Sequence, residues 1–427
     1  MKKNWLIGIY IFVITFLVYL FFCKKGVEEL HYFLPLANSI LRGHIDVNCT
    51  PYLNELVSAS GKCFVVYPPA PALALLPFAL LFGMKLSQVY PQILLSAFAG
   101  AIFYLFLAKL TKPKNALILS LLLVFGTNFF MTSMIGRSWY FAHICAVFFL
   151  ALALYFARDK KAFLAGLFLA FAGLSRLPVF LAFPALLYLI LKPFNSKRSL
   201  GEGPPSSKVV IARPKAAAIH ELKDCFAIAR NDIKRRFATA LGDHALSLYF
   251  WFFLPILFGA VGFALYNFLR FGNVFQTGYS LIPGVLDEPF FRGGIFSLSY
   301  IPRNLEAIFI SLPDFGRKFP FVMPNYASMS LFLATPALIL IFASLKNKLS
   351  RVMILTSLLV LIPSFLHGTI GFSQFGYRFS LDVILLLIVA LIPVYEKLPR
   401  LFYLLFVLSI LINFYVVVLF NLGVFSP

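Results

Sequence analysis

The chain is built of long apolar blocks separated by short polar turns, without the two-residue alternation of a half-buried strand. The first block, 5–22, is long enough to span a bilayer, sits behind Lys2 and Lys3, and runs into no small-residue cleavage site. It predicts a retained first membrane helix with a cytoplasmic N-terminus. Further blocks follow at 69–84, 89–110, 116–131, 139–157, 163–174, 178–191, 246–269, 329–345, 352–366, 381–394 and 401–422.

One block decides the topology. It opens at Tyr67-Pro68-Pro69 and runs through Ala70-Pro71 and Pro77 to Gly83, after a polar loop holding Glu28, Glu29, Asp46 and Glu55. It falls short of the roughly 20 apolar residues that a crossing needs. If it does not cross, the clusters Lys109/Lys112/Lys114, Arg158/Lys160/Lys161, Lys346/Lys348/Arg351 and Lys397/Arg400 all face the cytoplasm. If it crosses, they all lie outside, against the positive-inside bias. The first arrangement is preferred, although it leaves Lys24 and Lys25 just outside the membrane. It gives an all-α polytopic membrane protein with about 11 spanning helices, the 69–84 helix lying in or against the outer leaflet.

The same count divides the chain into an N-terminal transmembrane module, 1–192, with a first external loop, 23–88; a cytoplasmic stretch, 193–245; and a C-terminal module, 246–427, with an external loop, 271–328. The cytoplasmic stretch opens as a Gly/Pro/Ser linker. In it Ile219, Leu222, Phe226, Ala229, Ile233, Phe237 and Ala240 then recur at helical spacing among Lys and Arg, the pattern of a basic amphipathic helix on an anionic inner leaflet.

Composition agrees: 61% of the 427 residues are hydrophobic and 12% charged, with 52 Phe. The net charge of +21 would suggest nucleic acid in a soluble protein; here Lys and Arg at helix ends account for it, and no nucleic-acid partner is expected. Cys49 and Cys63 share the first loop and could pair if it is extracytoplasmic, although sequence does not fix the geometry that a disulfide needs. No Cys/His cluster has metal-ligand spacing, and there is no P-loop, dinucleotide fingerprint, zinc signature or nucleophile elbow.

Candidate chemistry gathers at the outer boundary. Glu28 and Glu29 follow the first helix, where a carboxylate could act as a general base on an acceptor hydroxyl or amine, or serve as a first-turn acid of a juxtamembrane helix over 30–41. Arg137, Arg176 and Arg378 stand at outer helix ends, able either to hold a lipid phosphate or to snorkel independently. Arg378 is the strongest of them, in Gln374-Phe375-Gly376-Tyr377-Arg378 with Asp382 at i+4, a spacing that also suits a plain ion pair. His143 lies inside a span, as a functional group or as a neutral histidine bonded to a neighbouring helix.

This layout resembles the C-type glycosyltransferase fold (GT-C), and within it the bacterial aminoarabinose transferases and the protein O-mannosyltransferase-like family. The run Glu29-Leu30-His31-Tyr32-Phe33-Leu34-Pro35-Leu36-Ala37, continuing to Leu41-Arg42-Gly43, is similar to the first-loop motif of those relatives, with Glu29 where the family usually has Asp. Tyr67-Pro68-Pro69-Ala70-Pro71 looks like the family's Pro-Pro element, and Ser175-Arg176-Leu177-Pro178 resembles its Thr-Arg-Pro break. Phe275-Gln276-Thr277-Gly278-Tyr279 and Phe375-Gly376-Tyr377-Arg378 look like further motifs of a bacterial branch.

The resemblance implies transfer, with inversion, of a sugar from a polyprenyl-phosphate carrier to a lipid, glycan or protein acceptor on the outer face of a bacterial-type plasma membrane. No cofactor is implied, since the lipid-linked sugar is itself the activated donor; metal dependence stays open, with no acidic cluster in the sequence arguing for a bound cation. Glu29 would be the base, with Glu28 or Asp46 as substitutes; Arg378, Tyr377, Arg137 and Arg176 would take the carrier phosphate; and Tyr67, His143 and Tyr279 would line the pocket. A transporter or lipid-carrier flippase is the competing reading, disfavoured by span centres nearly free of charge. A GT-C-like scaffold without activity is the third.

Overall fold

The computed structural model describes residues 2–23, 30–192, 218–371 and 374–425, with backbone alone for 2, 218–241, 243 and 244. Glu28 and Glu29 lie outside the described residues, as does the linker after residue 192. The fold is an all-α polytopic membrane bundle, with two short hairpins added at one end.

The elements follow the apolar blocks closely at first. Helix α1 (Lys2–Phe22) precedes α2 (Phe33–Leu41), the hairpin β1 (Leu56–Ala59) and β2 (Lys62–Val65), and α3 (Ala70–Phe82). Next come α4 (Val89–Leu107), α5 (Pro113–Gly126), α6 (Phe129–Thr132), α7 (Ser138–Arg158), α8 (Ala162–Gly173) and α9 (Phe183–Leu191). The second half holds α10 (Ala218–Phe271), α11 (Ile301–Phe309), the hairpin β3 (Asp314–Phe315) and β4 (Val322–Met323), α12 (Leu331–Ala334), α13 (Lys348–Leu366), α14 (Ile384–Ala390), α15 (Ile392–Lys397) and α16 (Pro399–Asn421).

Six helices among the described residues are long and apolar enough to cross a membrane: α1, α4, α7, the 245–271 part of α10, α13 and α16. Several other expected spans are interrupted. The block 116–131 breaks at Thr127 and Asn128 between α5 and α6, 381–394 is divided between α14 and α15, and 329–345 is mostly a 3-10 run, Pro336–Ser344. Freed backbone groups of this kind are tolerated at membrane depth only when enclosed by protein, and α14 is buried at all seven positions. Helix α3, with 13 residues, is about 20 Å long, less than the ~30 Å hydrocarbon thickness.

Burial sorts the helices into layers. On α1 only the stripe Gly8, Ile11, Thr15 and Tyr19 is covered, while Trp5, Ile9, Tyr10, Val13 and Leu17 are exposed. An apolar helix with so narrow a protein-facing stripe is suited to lipid on its other sides. Helices α4 and α7 are covered on most sides and form the centre, with one continuous core running from the first half of the chain into α14 and α16. Close approach is enforced where α8 meets α10: a Cβ on Gly166 would lie 1.9 Å from the carbonyl oxygen of Phe252.

Candidate active site

The site begins with a braced hairpin. Strands β1 and β2 pair from Leu56 opposite Val65 to Ala59 opposite Lys62, around a Ser60-Gly61 turn in which both residues have positive φ. Cys49 and Cys63 form a disulfide across a separation of 14 residues. Glu55 therefore sits inside a closed loop, one residue before β1. Asp46 is engaged elsewhere on this hairpin: Lys62 Nζ lies 3.1 Å from its carboxylate and His44 Nδ1 4.0 Å. The hydrogen bond from Lys62 holds the Asp46 carboxyl below its usual range.

The N-terminal turns of α7 collect the remaining parts. The Ser138 amide donates to the Leu30 carbonyl at 3.1 Å, and the Tyr32 amide donates to Ser138 Oγ at 2.7 Å, so the first loop is tied to the start of α7. One residue on, the Trp139 indole N–H donates to Glu55 Oε2 at 3.1 Å and also to the Tyr67 hydroxyl. The Glu55 amide donates to the Tyr32 hydroxyl at 3.3 Å, fixing the backbone on the other side. The Tyr67 ring packs against Tyr32 and Phe33, 5.5 and 5.8 Å between centroids.

Burial raises the Glu55 carboxyl to about 7, against the downward pull of the Trp139 hydrogen bond and of Arg378, while Glu288 adds a further upward push. Tyr279 stands in the same field: its phenol is pushed up by burial first and by Glu55 second, with Arg378, Glu288 and Arg176 also acting on it. Glu55, Tyr279, Arg378 and Arg176 thus lie within electrostatic reach of one another.

Tyr140 and His143, on one face of α7 at i and i+3, reach the 3-10 turn Arg378–Asp382. The Arg378 guanidinium stacks 5.1 Å from the Tyr140 ring and 5.8 Å from Phe379, is only 8% exposed, and has no hydrogen-bond partner for Nε or Nη1. Asp382 is fully buried. It accepts from Arg176 Nε at 3.3 Å and Nη2 at 3.1 Å, and lies 2.9 Å from His143 Nδ1. Arg378 and Asp382 do not form the ion pair that their spacing also allows: the segment is a 3-10 turn, in which i and i+3 eclipse and i+4 points away. His143 is the histidine bonded to a neighbouring element.

Tyr377 is buried, and its hydroxyl donates to Asn304 Oδ1 of α11 at 3.0 Å, while the Asn128 amide donates to its carbonyl at 3.3 Å. It braces the turn from behind. Arg137 stands at the N-cap of α7, half-buried, within electrostatic reach of Tyr140. The Arg176 side chain is a quarter exposed and lies 5.1 Å over Phe379, whose ring also meets His143 and His367. His367 in turn packs on Tyr279 at 5.7 Å. Of the residues expected from sequence, Arg378, Arg176, Arg137, Tyr67, His143 and Tyr279 thus come together, Asp46 does not join them, and Glu28 and Glu29 are not described.

Sequence reasoning passed over Glu55 and Trp139. The available signal was the pair Cys49 and Cys63, which brackets Glu55 and, once closed, holds it in place. Chemically, a carboxylate able to change protonation near neutral pH lies within electrostatic reach of a buried cation, two of whose N–H groups have no hydrogen-bond partner. Among the described residues no group of three or more His, Cys, Asp or Glu side chains could hold a metal ion.

No protein-family model matches the chain, and no curated protein matches it significantly. Its structure is similar to the crystal structure of the Archaeoglobus fulgidus oligosaccharyltransferase in the apo form, at 11% identity and a TM-score of 0.49, over 97% of this chain and 55% of that one. The chain thus spans about half the length of that protein. A likeness this distant carries no functional inference.

Proposed function

We propose that this chain is a membrane glycosyltransferase that moves a sugar from a polyprenyl-phosphate carrier to an acceptor on the extracytoplasmic face, inverting the anomeric carbon. The observation that carries the reading is that Glu55, raised to about 7, lies within electrostatic reach of the stacked guanidinium of Arg378, two of whose N–H groups have no hydrogen-bond partner. A phosphate leaving group needs a cation; an acceptor hydroxyl or amine needs a base.

In the reaction, the acceptor oxygen or nitrogen bonds to the anomeric carbon and its proton passes to Glu55. The bond from that carbon to the phosphate oxygen breaks, and the electron pair leaves with the carrier phosphate. Arg378 meets the negative charge that grows on the phosphate, with Arg137 and the exposed edge of Arg176 beside it. Asp382 holds Arg176 through two hydrogen bonds and so fixes its approach. Tyr67 and Tyr279 border the base. Glu29 and Glu28 remain alternative bases from the first loop.

The disulfide supports an extracytoplasmic first loop, because such bonds persist in oxidising compartments. The distribution of Lys and Arg supports the same orientation. The test incubates purified protein with a panel of polyprenyl-phosphate sugars and a membrane extract as the source of lipid, glycan and protein acceptors, and follows donor consumption, with E55Q and E29Q side by side. Loss of transfer in E55Q with normal membrane insertion and unchanged donor binding is the expected result. Loss in E29Q alone would move the base to Glu29, and no consumption of any donor would remove the glycosyltransferase reading.

A further inference from the structure

The β3–β4 hairpin carries side chains that the proposed chemistry does not use. Phe315 is 74% exposed, Phe319 62% and Phe321 59%. Arg317 and Lys318, between them, are exposed as well. The acid of the hairpin, Asp314, accepts a hydrogen bond from Asn325 Nδ2 at 3.1 Å. The tip thus offers rings and cations to whatever lies beside it.

Helix α16 sets the depth of this hairpin. The Tyr415 hydroxyl lies 2.7 Å from both the Pro320 and the Val322 carbonyl oxygens. Tyr415 stands about a turn and a half, roughly 9 Å, before the helix ends at Asn421. That end meets the end of α1, where Asn421 Nδ2 donates to the Phe22 carbonyl at 3.0 Å. Both helices are among those long and apolar enough to cross. The tip therefore lies alongside the apolar length of a spanning helix, at the level of the membrane–water boundary. Aromatic rings are favoured at that level, and cations there meet lipid phosphates.

We propose that the 314–323 hairpin is an interfacial anchor for anionic phospholipid, in the leaflet at the C-terminal ends of α1 and α16. Phe315, Phe319 and Phe321 enter the glycerol and upper acyl region, and Arg317 and Lys318 take lipid phosphates. Anionic lipid is the fitting occupant because the tip bears two cations, while the hairpin's one acid, Asp314, stands at its base and is hydrogen-bonded to Asn325 just beyond it. The inference is independent of any transfer activity.

The test uses full-length F319W in nanodiscs of phosphatidylcholine, or of phosphatidylcholine and phosphatidylglycerol in equal parts, and reads the tryptophan emission added over the parent protein. Expected are a blue shift, quenching by lipids brominated high on the acyl chain, and protection from acrylamide, all stronger with phosphatidylglycerol. Adding R317Q/K318Q to F319W should abolish the phosphatidylglycerol dependence. Acrylamide-accessible emission would overturn the proposal, as would quenching that is the same in both discs. A blue shift without bromolipid quenching would also overturn it and would identify a protein, such as a second copy of the chain, as the cover. If F319W fails to insert, F321W gives the same readout from the other side of Pro320.

Discussion

The Trp139 indole donates a hydrogen bond of 3.1 Å to the Glu55 carboxylate, across 84 residues of sequence. This bond stabilises the ionised form and opposes the burial that raises the Glu55 carboxyl to about 7. If ionised Glu55 is the base, transfer rises as pH rises through about 7. W139F removes the donor, so the Glu55 value goes up and the ascending limb of kcat/KM moves to higher pH, one unit corresponding to about 1.4 kcal/mol. R378Q moves it in the same direction by removing a neighbouring positive charge, and also weakens donor binding. A limb unmoved in both variants would take the base role from Glu55.

The same raised value makes a stability prediction. Because the folded protein favours protonated Glu55, this group's contribution to stability is present at low pH and is lost as pH rises above the ordinary carboxylate value and through about 7. E55Q stays neutral, so its melting temperature should exceed that of the parent above pH 7, and the difference should shrink towards pH 5. Thermal unfolding in detergent at several pH values measures it.

Opening the Cys49–Cys63 bridge should loosen the loop that carries Glu55. For a closed loop of this length the chain-entropy model gives about 3 kcal/mol of stabilisation. C49S/C63S should lower transfer. With Glu55 more hydrated, it should also move the activity limb to lower pH. A profile identical to the parent's would show that the bridge does not hold Glu55 in its buried setting.

Removing Asp382 should cost far more than removing an exposed acid. It leaves the Arg176 guanidinium without its carboxylate partner and His143 without its bond. Breaking a buried pair from one side costs about 3–5 kcal/mol; the partial exposure of Arg176 puts D382A near the lower end. R176M/D382N, which removes both charges, should recover part of the loss in thermal stability. Equal destabilisation in the single and double variants would show that the pair is not what D382A disturbs.

Gly166 tests the packing of the bundle independently of the site. Its Cβ would lie 1.9 Å from the Phe252 carbonyl oxygen, a backbone atom that cannot swing aside. G166A should therefore separate α8 from α10 at a cost of about 1–3 kcal/mol or more, read as a lowered melting temperature. G259A, where the nearest atom is the Ala170 Cβ at 3.1 Å, should cost less.

Sequence alone determined the class of this protein. Hydrophobic blocks of spanning length and turns rich in Lys and Arg are local properties, and they were enough to predict an all-α membrane bundle and to mark Arg176, Arg378 and His143. The breaks within 116–131 and 381–394 were not legible, because an apolar run reads the same whether it is one helix or two enclosed pieces. Nor was Glu55. A carboxylate in a polar loop has no local mark of function; its properties come from Trp139 on α7, Arg378 from the far end of the chain, and a disulfide that closes around it. Asp382 shows the same limit: its spacing suggested Arg378, and the 3-10 turn handed it to Arg176 and His143. Periodicity and charge bias act between neighbours in sequence, whereas burial and ion pairing depend on residues brought together only by the fold, and that is why the site belonged to the tertiary structure.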